Sequence, residues 1–198
     1  MIMNKILLIK RGQIGCKKIG IKCQYELIDI NFGFTSLPTS IVKINFIHEG
    51  KNIEGIGIEN RKKGFEFLEA TNAIGMVTLI KNGITIVRHS KKEQSQSCCM
   101  FYNLQDYLSY YNLLQSKLID FPEVCDIIIL TDPSLFNWLM IEGDIYEYVY
   151  GYFPNDLAGC TISKSLADRY EQHYIDKRGL YKGYDTIYEY YKAVKNIL

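Results

Sequence analysis

Six cysteines and three histidines are the residues of this chain best suited to act as nucleophiles or bases. The stretch "HSKKEQSQSCCM" brings three of them close in sequence: His89, Cys98 and Cys99. A thiol attacks as its thiolate, and a helix N-terminus or a cationic neighbour favours that form. Cys99 stands just ahead of an expected helix and leads as nucleophile candidate; Cys160, also ahead of a helix, is second. His89 or His173 would serve as base, oriented by a carboxylate. Against this, free cysteine packs as a small apolar side chain, and Cys23 and Cys125 already occupy expected core positions. No constellation joins nucleophile, base and oxyanion donors, so a small cysteine-dependent enzyme is the alternative reading and not the first.

Binding chemistry is the other resource. In "DIYEYVYGYF" a tyrosine recurs at every second position: Tyr146, Tyr148, Tyr150 and Tyr152. As a strand, this segment turns four phenols to one face and Ile145, Val149 and Phe153 to the other. Tyrosine suits interfaces that are apolar below and wet at the rim, so the stripe is expected to dock a protein partner or a second copy. Covering by helices of the same chain is the weightier structural reading, docking the functional one carried forward, and stacking of bases or sugars a third. In "GIGIENRKKGFEF", Arg61, Lys62 and Lys63 precede an expected helix over residues 65–73, a geometry that offers free N–H groups, dipole and cations to one anion. It is neither a Walker loop nor a dinucleotide fingerprint, because Asn60 stands where the last glycine would. A phosphate or nucleotide sensor is therefore the further alternative. Asp132 closes a continuous apolar run where open α/β sheets place ligands, yet Asp-Pro at a helix start is first of all a cap. No Cys-x-x-Cys and no helically spaced histidine pair occurs, so neither a metal nor another cofactor is expected.

Bulk properties narrow the partners. With 198 residues, 47% hydrophobic and 23% charged, the chain is long and apolar enough to fold as one domain. A net charge of +1 supplies no whole-protein field for nucleic acid or anionic membrane, so such a partner would need a local patch. Nucleic acid and membrane are accordingly not expected, while a protein partner and a small anionic ligand are. The N-terminal apolar run is too short for a signal peptide, and no stretch approaches the roughly twenty apolar residues that span a bilayer. "LAGC", residues 157–160, imitates a lipoprotein cleavage site but lies far from the N-terminus. A cytoplasmic protein with reduced cysteines follows as the expectation. Abundant Ile, Lys, Asn and Tyr share A/T-rich codons, which fits an AT-rich genome, phage or mobile element.

The elements that must position these groups read as α+β. Strands are expected over residues 4–10, at Ile21 to Leu27, at Val42, Ile44 and Phe46, and over 53–58 after the turn "EGKN". Asn82-Gly83 between "MVTLIK" and "ITIVRH" has the chemistry of a type I′ hairpin. The polar stretch 90–97 is the expected seam between a β-rich lobe (1–89) with antiparallel hairpins and a helix-rich lobe (103–198) with one or two strands. Beyond it, Asn103 caps a helix with Asp106 at N3, "EVCDIIIL" is a strand covered on both faces, and Asp132-Pro133 starts a further helix. Helices over about 166–177 and 186–197 complete the set. "LIKRG" followed by "GFTSLPTS" faintly resembles ADP-ribosyltransferases, but that family's Glu-x-Glu element has no counterpart, since Glu66 and Glu69 are three apart and Glu147 stands alone. No membership is assigned.

Overall fold

The computed structural model describes residues 5–7, 15–17, 33–70, 76–90, 93, 95–120 and 124–195. Its N-terminal part is built from β1 (Lys5–Leu7), β2 (Gly15–Lys17), β3 (Val42–His48), β4 (Lys51–Glu59), β5 (Phe65–Glu69) and β6 (Met76–Leu79). They form one sheet in the order β1-β6-β5-β4-β3-β2, in which only the β1–β6 pair is parallel. The second sheet joins β7 (Thr85–Val87), β8 (Ser97–Phe101), β9 (Cys125–Ile129), β10 (Tyr148–Tyr152) and β11 (Tyr174–Asp176) in the order β11-β10-β8-β9-β7, with β7 alone antiparallel. The α+β class holds, although the C-terminal part carries more strand than the one or two expected. The strand expected at Ile21 to Leu27 lies outside the described residues.

The β3–β4 hairpin follows from its residues. Ile44 and Phe46 alternate with the more exposed Lys43, Asn45 and Ile47, and the chain reverses through Glu49 and Gly50 at φ 50° and 74°. Two consecutive positive φ values are what a tight I′-type reversal requires. The expected Asn82-Gly83 hairpin does not form: β6 belongs to the first sheet and β7 to the second, so this loop is the passage between sheets. The passage therefore falls between Leu79 and Thr85, ahead of the polar stretch 90–97. Of the helix expected over 65–73, Phe65–Glu69 is instead β5, buried along its whole length, and residues 71–73 lie outside the described residues. Phe65 and Phe67 enter one core and Leu68 another, so the strand is covered on both faces and its acidic residues had nowhere else to go.

Helices α1 (Leu104–Gln115), α2 (Phe136–Gly143), α3 (Leu157–Tyr170) and α4 (Ile187–Lys195) flank the second sheet. Cys99, Phe101, Ile127 and Ile129 pack with α1 and α4 on one face, while Cys98, Met100, Ile128 and Leu130 meet α2 and α3 on the other. The expected caps are in place: Asn103 Oδ1 accepts from Asp106 N at 2.8 Å, and Asp132 Oδ1 accepts from Ser134 N at 2.8 Å. The helix expected over 166–177 begins earlier, because Asp156 accepts from Gly159 N and caps α3 there, and it ends at Tyr170, with residues 174–176 forming β11 instead. Residues 157–160, the lipoprotein look-alike, are simply its first turn. Crossing from β9 to β10 carries the chain over β8, so the strand order reverses between β8 and β10. Among the described residues no helix is long and apolar enough to cross a membrane.

Candidate functional site

The turn joining β4 to β5 is organised by one buried side chain. Asn60 Oδ1 accepts from Lys62 N (3.0 Å) and Gly64 N (2.9 Å), and its Nδ2 donates to the Lys81 carbonyl (2.7 Å). Arg61 N donates to the Ile84 carbonyl at 2.9 Å, and Lys63 N to the Asn60 carbonyl at 3.0 Å. Gly64 lets the two strand ends approach, since a Cβ there would stand 2.0 Å from the Lys81 carbonyl oxygen. These bonds fix the backbone beneath Arg61 and Lys62. They also correct the expected anion site: no helix begins here and the N–H groups of residues 61–64 are occupied, leaving only side chains to meet a ligand. Lys63, at φ 63°, is drawn aside to Glu59 at 3.5 Å.

Across from this turn lies α2. Leu135 and Leu139 anchor it in the core, and the same turn of helix leaves Trp138 55% and Ile141 53% exposed. Trp138 is the only tryptophan of the chain. Between turn and helix opens a cleft of about 230 Å³, with Arg61, Lys62 and Gly83 on the side of the turn and loop and Leu135, Trp138 and Glu142 contributed by the helix and the turn leading into it. Arg61 Nη1 forms an ion pair with Glu142 Oε1. The arginine side chain is 55% exposed and the glutamate 18%. Exposed indole, two cations and one recessed carboxylate thus share one opening. An aromatic face takes a base of any sequence, and neighbouring cations take its phosphates.

The other predicted site residues do not converge. Cys98 and Cys99 lie within β8, the central strand, and face opposite cores, both fully buried. Burial pushes both thiols well above their ordinary range, helped by Cys125 nearby. Cys99 Sγ stands 3.8 Å from the Tyr110 hydroxyl. His89 is exposed, with its backbone N–H on Asp126 Oδ1 at 2.8 Å, and His173 rests its ring on Tyr148 with centroids 5.8 Å apart. Cys160 is exposed and its Sγ accepts from Arg178 Nη1 at 2.9 Å. No thiol–imidazole pair forms among the described residues, so the nucleophile–base reading loses its geometry.

The tyrosine stripe is a strand, but it is interior. Tyr150 and Tyr152 are buried under α1 and α4, with Tyr152 stacked on Phe101 at 5.0 Å between centroids. Tyr146 precedes β10 and turns into the opposite core, where its hydroxyl donates to Asp126 Oδ2 at 3.0 Å. Tyr148 is half-buried. The phenols therefore offer no continuous outer face for a partner. Periodicity alone placed all four on one side of a strand; it had no means of showing that helices cover that side or that Tyr146 lies ahead of the strand and faces the other core.

At the C-terminal ends of β8 and β9, the Tyr102 phenol is raised by burial and by the fields of Asp156, Asp132 and Asp106. Asp132 is fully engaged, since Oδ2 accepts from Asn82 Nδ2 at 3.0 Å while Oδ1 caps the following turn. Among the described residues no group of three or more His, Cys, Asp or Glu side chains is placed to hold a metal ion. Glu66 reaches from β5 into this region. Its Oε1 accepts from Leu104 N at 2.7 Å and its Oε2 from Thr131 Oγ1 at 3.2 Å. Burial drives the Glu66 carboxyl up to about 8, and that of Asp106 up to about 7.

No protein-family model matches the chain, and no curated protein sequence matches it. Among solved structures, it is similar in fold to the primase fragment of the bacteriophage T7 primase-helicase protein. The TM-score is 0.53 at 10% identity, covering 96% of this chain and 75% of that one.

Proposed function

We propose that this protein binds single-stranded nucleic acid, or the nucleotides of which it is made, in the cleft between the residue 60–64 turn and α2. The observation that carries the reading is Trp138, a large aromatic left more than half exposed in the wall of an opening shared with Arg61 and Lys62. In such a cleft the indole stacks a base while the two cations hold flanking phosphates, without reading sequence. The fold likeness to a phage primase fragment supports nucleic acid as the ligand class and agrees with phage or mobile-element ancestry. The near-neutral net charge does not oppose this, because the required positive patch is local. Association with a protein partner has less support, since the tyrosines meant to carry it are largely interior.

The reading is tested by fluorescence anisotropy of a labelled oligothymidylate, with nucleoside triphosphate as competitor. Binding should weaken at least about tenfold when Arg61 and Lys62 are both replaced by alanine. Two phosphate contacts on a single strand also imply a log K against log salt slope of about −1.4. Unchanged affinity in the double variant would place the ligand elsewhere.

A further inference from the structure

The cleft contains a carboxylate that an anion-binding surface would not need. Glu142 pairs with Arg61 and is only 18% exposed against 55% for the arginine, so its charge is less screened than that of a surface acid. Any phosphate approaching Arg61 must share the guanidinium with Glu142 and meet its repulsion. That repulsion scales with ligand charge. An internal phosphodiester carries one negative charge, whereas a terminal phosphate carries about 1.5 to 2 near neutral pH. The hydrophobic side of the opening, Leu135 and Trp138, treats both ligands alike because each offers a base. Discrimination therefore falls on the charged side.

Resting on the nucleic-acid reading above, we infer that Glu142 is a specificity-determining residue that offsets part of the attraction of Arg61 and Lys62, and so weakens the cleft's hold on a terminal phosphate more than on an internal phosphodiester. This is discrimination by a built-in repulsive group. Arg61 and Lys62 attract both ligands in proportion to their charge, and Glu142 reduces that bias toward the more highly charged one.

The experiment compares dissociation constants of a short oligothymidylate lacking terminal phosphates and of thymidine triphosphate, without divalent cation, for the unmodified protein, Glu142→Gln and Glu142→Asp. Glu142→Gln should shift the preference toward the triphosphate relative to the unmodified protein. If Glu142→Gln tightens the oligonucleotide by about threefold, the triphosphate, whose terminal phosphate alone carries about twice the charge of an internal phosphodiester, should tighten by about ninefold or more. Glu142→Asp keeps the charge and should keep the original preference. Equal gains for both ligands, no gain, or weakening of both in Glu142→Gln would overturn the inference; weakening would mean that Glu142 positions Arg61. If neither ligand binds the unmodified protein or the variants, the nucleic-acid reading itself fails, and this inference with it. If binding is present and depends on Arg61 but is indifferent to Glu142, only the inference fails.

Discussion

Glu66 shows how one residue ties the two sheets together and makes stability depend on pH. Its carboxyl sits at the first turn of α1 while its backbone belongs to β5. Held at about 8 in the folded protein against an ordinary 4.5, it keeps a proton that the unfolded chain releases. Folding thus takes up a proton between those values, and stability is full below the unfolded value and is lost as pH rises through the folded one. Asp106, raised from 3.8 to about 7, acts in the same direction. Urea denaturation of the unmodified protein should show stability falling from pH 5 to pH 8, by up to about 1 kcal/mol per pH unit for each group. Glu66→Gln stays neutral throughout and should flatten that decline; parallel curves for the two proteins would contradict the assignment. Thiols give a second check at this scale. Mild alkylation of the native protein should modify exposed Cys160 well before buried Cys98 and Cys99. Preferential labelling of Cys99 would contradict the core placement. Sequence alone put Cys99 ahead of Cys160, reading "CCM" as a loop before a helix, although the same residues read equally as a strand. Burial decides between them, and it comes from chain segments far away.

At the level of elements, the turn over residues 60–64 is the part most dependent on single side chains. Asn60→Ala removes the acceptor of two N–H groups and the donor to Lys81 in a buried setting, with an expected loss of about 2 kcal/mol or more. Gly64→Ala should be at least as damaging, since its Cβ would collide with a backbone carbonyl. Denaturant titration measures both; a neutral Asn60→Ala would show that the turn holds without its organiser. What was legible here and what was not has a physical basis. Caps are local, so Asn103 and Asp132 were readable from a few neighbours. The strand at β9 was readable because a short run of β-branched isoleucines, broken only by Asp126, suits a strand covered on both faces. Asn82-Gly83 misled because turn chemistry is permissive: the pair allows a hairpin but does not compel β6 and β7 into one sheet. "FEFLE" misled because Glu66 and Glu69 look solvated, while both are buried.

The molecule as a whole brings these parts into one arrangement. A largely antiparallel sheet meets the α1 face of a mostly parallel one through Ile56, Ile58 and Leu68. The passage between sheets delivers Gly83 and Ile84 beside the 60–64 turn, and the crossover from β9 to β10 delivers α2 opposite it. Arg61 and Trp138 are 77 positions apart in the chain, so no local pattern pairs them. The Arg-Lys-Lys run was visible as cations, but the indole that gives it a partner was not. Because Trp138 is the sole tryptophan, the cleft carries its own optical probe. The most direct measurement is the emission of Trp138 during titration with an unlabelled oligothymidylate at low salt. Saturable quenching that is reversed by added salt and lost when Arg61 and Lys62 are replaced is the predicted result. Emission that stays constant while the oligonucleotide is raised to millimolar concentration would contradict a base stacked on that ring, and with it the proposed site.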